Sequence, residues 1–203
     1  MIDPRIYLAS RSPRRRELLT QIGVRFDLLL FRAAPREDEE VSEAWLSGET
    51  PEDYVQRVAR AKAVFGAGLM ASRGIVVRPV LAADTTLDLD GEVIGKPADE
   101  ADAVAILTRL AGRSHRVLTA IALARGERVE QRLSISEVRF RALTANEIRR
   151  YVQSGEPMDK AGAYGIQGRA AMFIEDIRGS HSGIVGLPLC ETALLLRDFG
   201  YPL

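Results

Sequence analysis

A cluster of hydroxyl and guanidinium side chains follows the first apolar segment of the chain. Residues 10–15 read S-R-S-P-R-R, directly after the predicted strand Ile6–Ala9. Ser12 and Pro13 are typical of a helix start, where backbone N–H groups, hydroxyls and guanidinium forks together can hold a phosphate chain. An ordinary capped surface helix is the alternative. Positive charge opposes the dipole at a helix N-terminus, so Arg14 and Arg15 favour a bound anion there.

A single carboxylate, Asp84, follows a long apolar run and is predicted to lie at the end of a buried strand. Burying a carboxylate there is costly unless it binds a cation, contacts a base or caps a helix. In a cleft it could coordinate magnesium or accept a proton from water. The alternative is a turn aspartate that accepts hydrogen bonds from its own backbone.

Two loops carry further candidate ligands for a phosphate and a base. Lys96 stands between Gly95 and Pro97, which predicts a positioned point charge suited to phosphate, although the spacing excludes a P-loop. Residues 159–168 read D-K-A-G-A-Y-G-I-Q-G, a glycine-rich pattern that lets the backbone approach a ligand. The Gln167 carboxamide both donates and accepts, which suits the edge of a base. A plain loop lysine and a tight irregular turn are the respective alternatives.

Length and charge limit the classes of protein that fit. The chain has 203 residues, which predicts one domain over residues 1–203, or two small lobes that share a core. Lys plus Arg number 28 and Asp plus Glu number 28, so the net charge of zero argues against a nucleic-acid or membrane-surface protein. One cysteine and two histidines exclude an internal disulfide and Cys/His zinc sites. We expect Cys190 to be a buried apolar thiol. With no signal peptide and no apolar run of about 18 residues, a cytoplasmic protein is expected.

The elements that must position these groups alternate between strand and helix. Apolar patterns and turn residues predict strands at 6–9, 26–30, 75–83, 86–89, 92–94, 115–124, 129–140 and 170–177. Caps and helical periodicity predict helices at 12–22, 50–69, 99–111, 144–152 and 188–198. A hairpin turn is predicted at Asp90-Gly91, and His115 is expected to tie down its strand by hydrogen bonding. Hairpins mixed with helices predict an α/β fold with a mixed sheet.

Taken in order, these motifs resemble the Maf family, also called septum-formation-inhibitor-like proteins. The similarity covers nearly the whole chain, through S-x-S-P-R-R-x-E-L-L at residues 10–19, P-E-D-Y-V at 51–55, K-A at 62–63, A-D-T at 83–85, D-G-x-x-x-G-K-P at 90–97, G-R-S-H-R-V at 112–117, G-E-P-x-D-K-A-G-A-Y-G-I-Q-G at 155–168 and V-G-L-P-L-x-E-T at 185–192. Each motif is weak by itself, and their common order makes the resemblance specific.

The resemblance implies an elongated, inosine-triphosphatase-like α/β fold with two lobes around a deep cleft. It also implies hydrolysis of a nucleoside triphosphate to the monophosphate and pyrophosphate, with a divalent cation, Mg²⁺ or Mn²⁺. The family's proton acceptor falls on Asp84, which would also contact the metal. Its phosphate-binding positions fall on Arg14, Arg15, Lys62, Lys96 and Lys160. Ser12 is a further candidate for binding the substrate.

The family's selectivity positions are filled here by Arg14, Thr85 and Gln167, a set that resembles the subfamily acting on dTTP and UTP. A sister subfamily that acts on 7-methyl-GTP usually shows S-D-Q around the catalytic aspartate and lacks the A-G-A-Y-G-I-Q-G loop. That activity is one alternative. The alternative from another class is a non-catalytic nucleotide-sensing protein connected with cell division.

One stretch departs from the family pattern. The acidic segment 36–43 replaces a short hydrophobic-x-D-E segment and is longer than usual. Glu37, Glu39 and Glu40 are candidates for the family's acidic cleft position, and we choose Glu39 as the second metal-binding residue. The expected partner is a nucleoside triphosphate rather than a membrane or a nucleic acid, and a homodimer is left open.

Overall fold

The computed structural model describes residues 4–31 and 41–203, and a mixed β-sheet runs through its centre. The strands are β1 (Ile6–Leu8), β2 (Phe26–Leu28), β3 (Val80–Leu89), β4 (Glu92–Ile94), β5 (Ser114–Arg125), β6 (Arg128–Phe140) and β7 (Ile174–Arg178). The α-helices are α1 (Pro13–Gln21), α2 (Pro51–Arg73), α3 (Glu100–Leu110), α4 (Ala145–Val152), α5 (His181–Val185) and α6 (Leu189–Asp198). Short 3₁₀ helices cover Glu156–Asp159, Ala161–Ala163 and Arg169–Phe173.

The sheet combines parallel and antiparallel pairs. Its strand order is β2-β1-β3-β5-β6-β7, with β4 paired to β3 beside this path. β1 runs parallel to β2 and β3, whereas every pair that involves β4, β5, β6 or β7 is antiparallel. The predicted α/β class with a mixed sheet is therefore confirmed. None of the helices in the described ranges is long and apolar enough to cross a membrane.

One edge of β3 is covered in two places with a gap between them. β1 pairs with this strand only at Val80 and Leu81, and β4 pairs with it only from Leu87 to Leu89. On the opposite edge, β5 runs along β3 from Val80 to Asp88 without a break. In the part of the chain that the structure describes, residues 82–86 therefore have no strand neighbour on the first edge.

Apolar side chains form core regions at both ends of this gap. One region contains Leu87 and Phe140 and packs against α3 and α4. The other covers both faces of the opposite half of the sheet, with Leu81 facing α1 and α6 and Ala82 facing α2. The expected organisation as one domain or two small lobes stays a prediction.

The buried face of α2 differs from the one that helical periodicity predicts. The expected face was Tyr54, Val58, Ala61, Phe65 and Leu69. The structure fully buries a stripe of smaller residues, Val55, Val58, Ala59, Ala63 and Gly66, together with Met70. A Cβ atom at Gly66 would lie 2.8 Å from the Val80 side chain, so the helix needs small residues to approach the sheet closely. This rotation directs Lys62, beside the stripe, towards β3.

Side-chain caps confirm four predicted helix starts. Each cap accepts a hydrogen bond from the backbone N–H three residues later, and the caps are Ser12, Thr50, Asp99 and Thr144. The Asp90-Gly91 turn is also confirmed, with φ of 58° and 84°. Both values belong to the left-handed region that two-residue hairpin turns require.

Several predicted boundaries are wrong. Residues 75–79 lie outside the sheet, and residues 80–89 form one continuous strand, so Asp84 lies in the middle of β3 and not at its end. The polar run 84–86 resembles a strand end, but threonine favours strands. Thr85 contacts Thr119 across the sheet, and Asp84 pairs with Lys62 of α2. Residues 170–173 belong to the 3₁₀ helix Arg169–Phe173, although a strand was expected from residue 170.

Cys190 is exposed, which corrects the expectation of a buried thiol. Helix α6 buries Thr192, Leu195 and Leu196 against the core. In a helix of 3.6 residues per turn, Cys190 lies on the opposite side from these three buried residues. The apolar residues around it in the sequence therefore do not share its environment.

His115 is buried in β5 and, as expected, ties the strand down. Its Nε2 atom lies 2.7 Å from the Tyr164 hydroxyl, and its ring packs edge-on against Phe140 and Tyr164. Burial lowers the pKa of His115 to about 4. The neutral ring therefore holds residue 164, at the start of the Tyr164–Gly168 segment, against β5.

Acid should destabilise the fold through His115. Its pKa in the folded chain is about 4, below the ordinary value of 6.5, so between these pH values the unfolded chain takes up a proton that the folded chain excludes. This loss of folding stability is absent above pH 6.5. It grows as the pH falls, by about 1.4 kcal/mol per pH unit and about 3 kcal/mol in total. His115→Gln cannot titrate and should lose this part of the pH dependence of urea unfolding. Equal pH slopes in both proteins would contradict the assignment.

Candidate active site

A cleft of about 1150 Å³ opens at the gap in the β3 edge. It lies between the start of α1, the exposed stretch of β3, the loop after β4 and residues 156–168. Its lining includes every predicted site residue that the structure describes: Ser12, Arg14, Arg15, Lys62, Asp84, Thr85, Lys96, Lys160 and Gln167. Motifs that are far apart in the sequence are thus brought to one cavity, and the predicted deep cleft is confirmed.

Lys62 links two carboxylates in this cleft. Its ammonium nitrogen lies 2.8 Å from Asp84 Oδ1 and 2.5 Å from Glu43 Oε1. The side chains of Lys62 and Asp84 are only 13% and 11% exposed, whereas Glu43 is 54% exposed. One positive charge therefore stands between two negative charges, which leaves the trio able to bind a further cation.

Burial raises the pKa of each of the two carboxylates, whereas Lys62 lowers it. Burial raises the pKa of Asp84 above its ordinary value, although Lys62 and Arg15 counteract it. Burial also opposes the ionisation of Glu43, yet Lys62 and weaker cationic neighbours hold the pKa of Glu43 below its ordinary value. The surroundings of Asp84 therefore favour proton uptake, whereas those of Glu43 favour the ionised form, which suits Asp84 to accept a proton.

Helix α2 positions Glu43 as well as Lys62. The Tyr54 hydroxyl donates to the Glu43 carbonyl oxygen at 3.0 Å. Arg57 donates from Nη2 to the Ala44 carbonyl at 2.9 Å and from Nε to Glu49 Oε1 at 2.6 Å. The segment before α2 is thereby fixed along the first turns of the helix, and Glu43 is brought to the lysine that the same helix carries.

Arg15 lies in the cleft wall, and its guanidinium group donates hydrogen bonds to other residues of the protein. Its Nε donates to the Gly186 carbonyl at 2.7 Å, its Nη1 to the Ala83 carbonyl at 2.8 Å, and its Nη2 to Thr85 Oγ1 at 3.1 Å. Nη1 also lies 3.4 Å from Ser10 Oγ. The Ala83 carbonyl belongs to the uncovered edge of β3. Arg15 therefore satisfies a backbone group that a neighbouring strand would otherwise pair.

Thr85 and Ser12 are also held by protein contacts. Thr85 Oγ1 lies 2.9 Å from Thr119 Oγ1 on β5, in addition to its bond from Arg15. Ser12 Oγ accepts from the Arg15 N–H at 3.4 Å as the cap of α1. Because side chains alternate along a strand, Thr85 and Asp84 leave β3 on opposite faces. The cleft reaches both faces around the open edge.

The other cationic side chains of the cleft differ in whether they contact the protein. In the described ranges, the side chains of Arg14 and Lys96 have neither a hydrogen bond nor an ion pair. The Lys160 ammonium lies 2.6 Å from the Glu156 carbonyl oxygen and 2.5 Å from Asp159 Oδ1. These cations line the cleft together with Lys62. The arrangement can bind a polyanion.

Gln167 lies in a tight turn on the rim of the cleft. The Gly168 N–H donates to the Gly165 carbonyl at 3.0 Å, so Ile166 and Gln167 form the centre of the turn. The Gln167 side chain is exposed, lines the cleft and has no hydrogen-bond partner among the described residues. Its carboxamide is free to contact a ligand whose charged end lies among the cations.

The sequence model of a family described as "Maf-like protein" matches residues 5–199 of the chain. The chain belongs to the Maf family. Among similar proteins, the dTTP/UTP pyrophosphatase of Aromatoleum aromaticum is 63% identical over 203 residues, which cover 100% of this chain and 98% of that protein. The dTTP/UTP pyrophosphatases of Dechloromonas aromatica and Ralstonia nicotianae are both 58% identical and cover 97% and 96% of this chain, and 98% and 94% of their own.

A solved structure also matches part of this Maf chain. The Ham1 protein of Staphylococcus aureus covers 67% of this chain and 71% of its own, with a TM-score of 0.44 and 17% identity. A similarity at this level carries no argument about the site.

Glu43 is the main cleft residue that the sequence did not single out, and the choice of Glu39 stays a prediction. Glu39, the predicted second metal-binding residue, lies outside the described residues, as do Glu37 and Glu40. The acid that the structure places at Lys62 is Glu43. Glu43 is the last acid of the segment 36–43, so it is the one nearest to the helix that carries Lys62. That proximity is the signal that could have identified it.

The donor set fits a divalent cation that binds together with a phosphate ligand. In the part of the chain that the structure describes, no three or more His, Cys, Asp or Glu residues are grouped to hold a metal ion. Asp84 and Glu43 are hard oxygen donors that share a single lysine. Mg²⁺ is usually held by one or two carboxylates plus substrate phosphates, with several waters retained. This pair meets that requirement without a closed protein cage.

Two adjacent arginines should differ in their effect on stability. Arg15→Ala leaves the Ala83 and Gly186 carbonyls without their donor, so the free energy of unfolding should fall by about 2–3 kcal/mol. The Arg14 side chain makes neither a hydrogen bond nor an ion pair with any described residue, so Arg14→Ala should change the free energy of unfolding by less than about 0.5 kcal/mol. Urea unfolding of the two variants at one pH makes this comparison. Equal losses would show that Arg15 does not support the open edge of β3.

Proposed function

We propose that this Maf protein hydrolyses dTTP and UTP to the nucleoside monophosphate and pyrophosphate. The observation that carries the proposal is the buried Asp84, bound to Lys62 in a cleft lined with cations. A carboxylate whose pKa is raised can take a proton from water, and the cations around it can hold a triphosphate. The name shared by the relatives at 58–63% identity supports the same reaction and the same substrates.

The triphosphate is assigned to the floor of the cleft. A nucleoside triphosphate carries about four negative charges, and more charge develops on the pyrophosphate as it leaves. Arg14 and Lys96, whose side chains have no protein partner in the described ranges, are the cations available to phosphate oxygens. Lys160 joins them from a position fixed by Asp159 and the Glu156 carbonyl. Fixed cations stabilise developing charge without having to reorganise during the reaction.

Asp84 is assigned as the proton acceptor. A water oxygen attacks the α-phosphorus of the triphosphate, and a proton of this water passes to Asp84. The bridging P–O bond breaks, and pyrophosphate carries away the electron pair. Lys62 holds Oδ1 of Asp84 in place at 2.8 Å, so the carboxylate keeps one orientation towards the attacking water.

A divalent cation is assigned to the Asp84 and Glu43 carboxylates. When bound, Mg²⁺ or Mn²⁺ would neutralise phosphate charge and help to align the substrate. Lys62 bridges both carboxylates and would then share them with the cation. The pKa of Glu43 is held below its ordinary value, so Glu43 stays ionised and available as a ligand.

The base is assigned to the Gln167 end of the cleft. Thymine and uracil present an acceptor, O4, next to a donor, N3–H. A carboxamide held in one orientation donates to O4 and accepts from N3–H, whereas cytosine presents the reverse pattern. A site that pairs with one edge rejects others because its polar groups are left without partners.

Asp84→Asn should abolish most pyrophosphate release while nucleotide binding remains. The amide cannot accept the proton, so kcat should fall by about 10²–10⁴. Affinity for dTTP should be kept or increased, because a negative charge close to the phosphates is removed. Pyrophosphate release and equilibrium binding of dTTP are measured on the same preparation.

Asp176→Asn is a matched control, since it makes the same chemical change on exposed β7 outside the cleft. It should retain wild-type turnover. A turnover of Asp84→Asn within about threefold of wild type would remove this residue from the role. Wild-type protein that binds nucleotide without releasing pyrophosphate would instead favour the nucleotide-sensing class.

Gln167→Ala should reduce base selectivity more than the best rate. The ratio of kcat/KM for dTTP to that for CTP should fall by about tenfold or more, because a directional contact to the base is lost. The panel is dTTP, UTP, CTP, GTP and 7-methyl-GTP. Gln153→Ala, an exposed glutamine outside the cleft, serves as the control. An unchanged ranking, or a wild-type preference for 7-methyl-GTP, would overturn the pyrimidine assignment and leave the pyrophosphatase assignment standing.

Glu43→Gln should raise the Mg²⁺ concentration that gives half-maximal turnover by about tenfold. The amide is a weaker ligand for a hard cation, but saturating metal should restore most of kcat. Chelation should abolish turnover in both proteins. The same Mg²⁺ dependence in wild type and variant would exclude Glu43 as a ligand.

A further inference from the structure

A carboxamide alone does not explain selectivity for uracil-type bases. Its donor and acceptor exchange places when the amide turns by 180°, and the turned group pairs equally well with cytosine. Discrimination therefore needs neighbouring groups whose direction cannot reverse. The backbone N–H groups of Ile166 and Gln167 are such groups, because they stand in the rim turn and have no acceptor among the described residues. A fixed N–H attracts O4 of uracil and repels the amino group of cytosine.

The Glu156 carboxylate contacts the far end of this turn directly and supports the near end through Tyr151. At the far end, Glu156 Oε2 accepts the Arg169 backbone N–H at 3.0 Å. Towards the near end, Glu156 Oε1 accepts the Tyr151 hydroxyl at 3.0 Å, and the Gly165 backbone N–H lies beside that hydroxyl. Ile166, Gln167 and Gly168 lie between Gly165 and Arg169. One side chain thus anchors the base-contacting turn.

Gly168 is shaped by the same carboxylate. A Cβ atom at this position would lie 2.1 Å from Glu156 Oε1, so a side chain there would force the carboxylate to move. Its backbone is extended, with φ of −105°, a conformation that any residue adopts. The requirement for glycine therefore comes from the contact with Glu156. The carbonyl of Glu156 also receives the Lys160 ammonium at 2.6 Å, so the base turn and a phosphate cation share one anchor.

From these contacts we propose that Glu156 is the positioning residue that determines selectivity for uracil-type bases over cytosine. The proposal rests on the function proposed above and assigns to Glu156 no contact with the substrate. Through Tyr151, Arg169 and Gly168 it keeps the turn N–H groups and the Gln167 amide in one direction. Without it, the turn relaxes, the amide serves either edge, and cytosine nucleotides are accepted.

The first test compares base selectivity in Glu156→Ala and wild type. The ratio of kcat/KM for dTTP to that for CTP should fall at least tenfold, mainly through a higher KM for dTTP and a lower KM for CTP. Tyr151→Phe, which removes only the hydroxyl bound to Glu156 Oε1 beside Gly165, should produce a smaller fall in the same direction. Glu127→Ala, at the tip of the β5–β6 hairpin, is the control and should leave the ratio unchanged. A ratio in Glu156→Ala within twofold of wild type would overturn the proposal.

The second test uses the contact between Gly168 and the carboxylate. In the wild-type background, Gly168→Ala should displace Glu156 and lower the selectivity ratio about as much as Glu156→Ala. In the Glu156→Ala background, the added methyl group has room, so the double variant should match Glu156→Ala alone. Independent losses that multiply would show two unrelated structural defects and would overturn the proposal.

Failure of the Glu156 proposal can be distinguished from failure of the proposed function. If wild type releases no pyrophosphate from any triphosphate, the proposed function fails. The ratio of equilibrium affinities for dTTP and CTP, measured by calorimetry on the same variants, then tests the Glu156 proposal without turnover. An affinity ratio that falls in Glu156→Ala supports the proposal, and one that does not change overturns it.

Discussion

The open edge of β3 is the constraint on which the rest of the site depends. A strand in the middle of a sheet normally pairs on both sides, and its unpaired backbone groups are costly when buried. Between β1 and β4, residues 82–86 of β3 have a neighbour on one side only, within the described chain. The opening lets a ligand reach Asp84 on one face of the strand and Thr85 on the other.

The open edge also explains why the adjacent residues Arg14 and Arg15 have different roles. Arg15 donates to the Ala83 carbonyl and to Thr85, so it replaces part of the missing strand and keeps the edge satisfied. Arg14, one residue earlier on the same helix start, has no protein partner in the described ranges and is left for an anion. A chain with zero net charge can in this way present local cations to a polyanion. The overall charge of the chain says little about such a ligand, because the balancing acids lie elsewhere.

Local signals in the sequence were sufficient to predict much of the fold. Caps such as Ser12 and Thr144 and the Asp90-Gly91 turn depend on contacts within a few residues, so they can be read without knowing the tertiary structure. The motifs also identified the residues that meet in the cleft. The position of Asp84 within β3 could not be predicted, because a polar run can end a strand or line an opening in its edge. Only the pairing of β1 and β4 decides between these cases.

The missed acid has a similar cause. Glu43 enters the site because Tyr54 and Arg57 fix the segment before α2, and these contacts involve a helix face that periodicity placed incorrectly. Periodicity gave weight to the large apolar side chains, whereas packing against a sheet favoured small ones. The exposed Cys190 shows the same limit, since a helix separates residues that are neighbours in the sequence.

The length of β1 has a consequence for how this fold can change over evolutionary time. The strand ends at Leu8, and the chain turns away within four residues to begin α1 at Pro13. An insertion that let β1 continue along β3 would pair the backbone at Ala83, displace the Arg15 side chain and fill the opening. Every cleft residue could be retained while the cleft itself disappeared. Insertions and deletions before α1 are therefore under a constraint that no comparison of site residues would reveal.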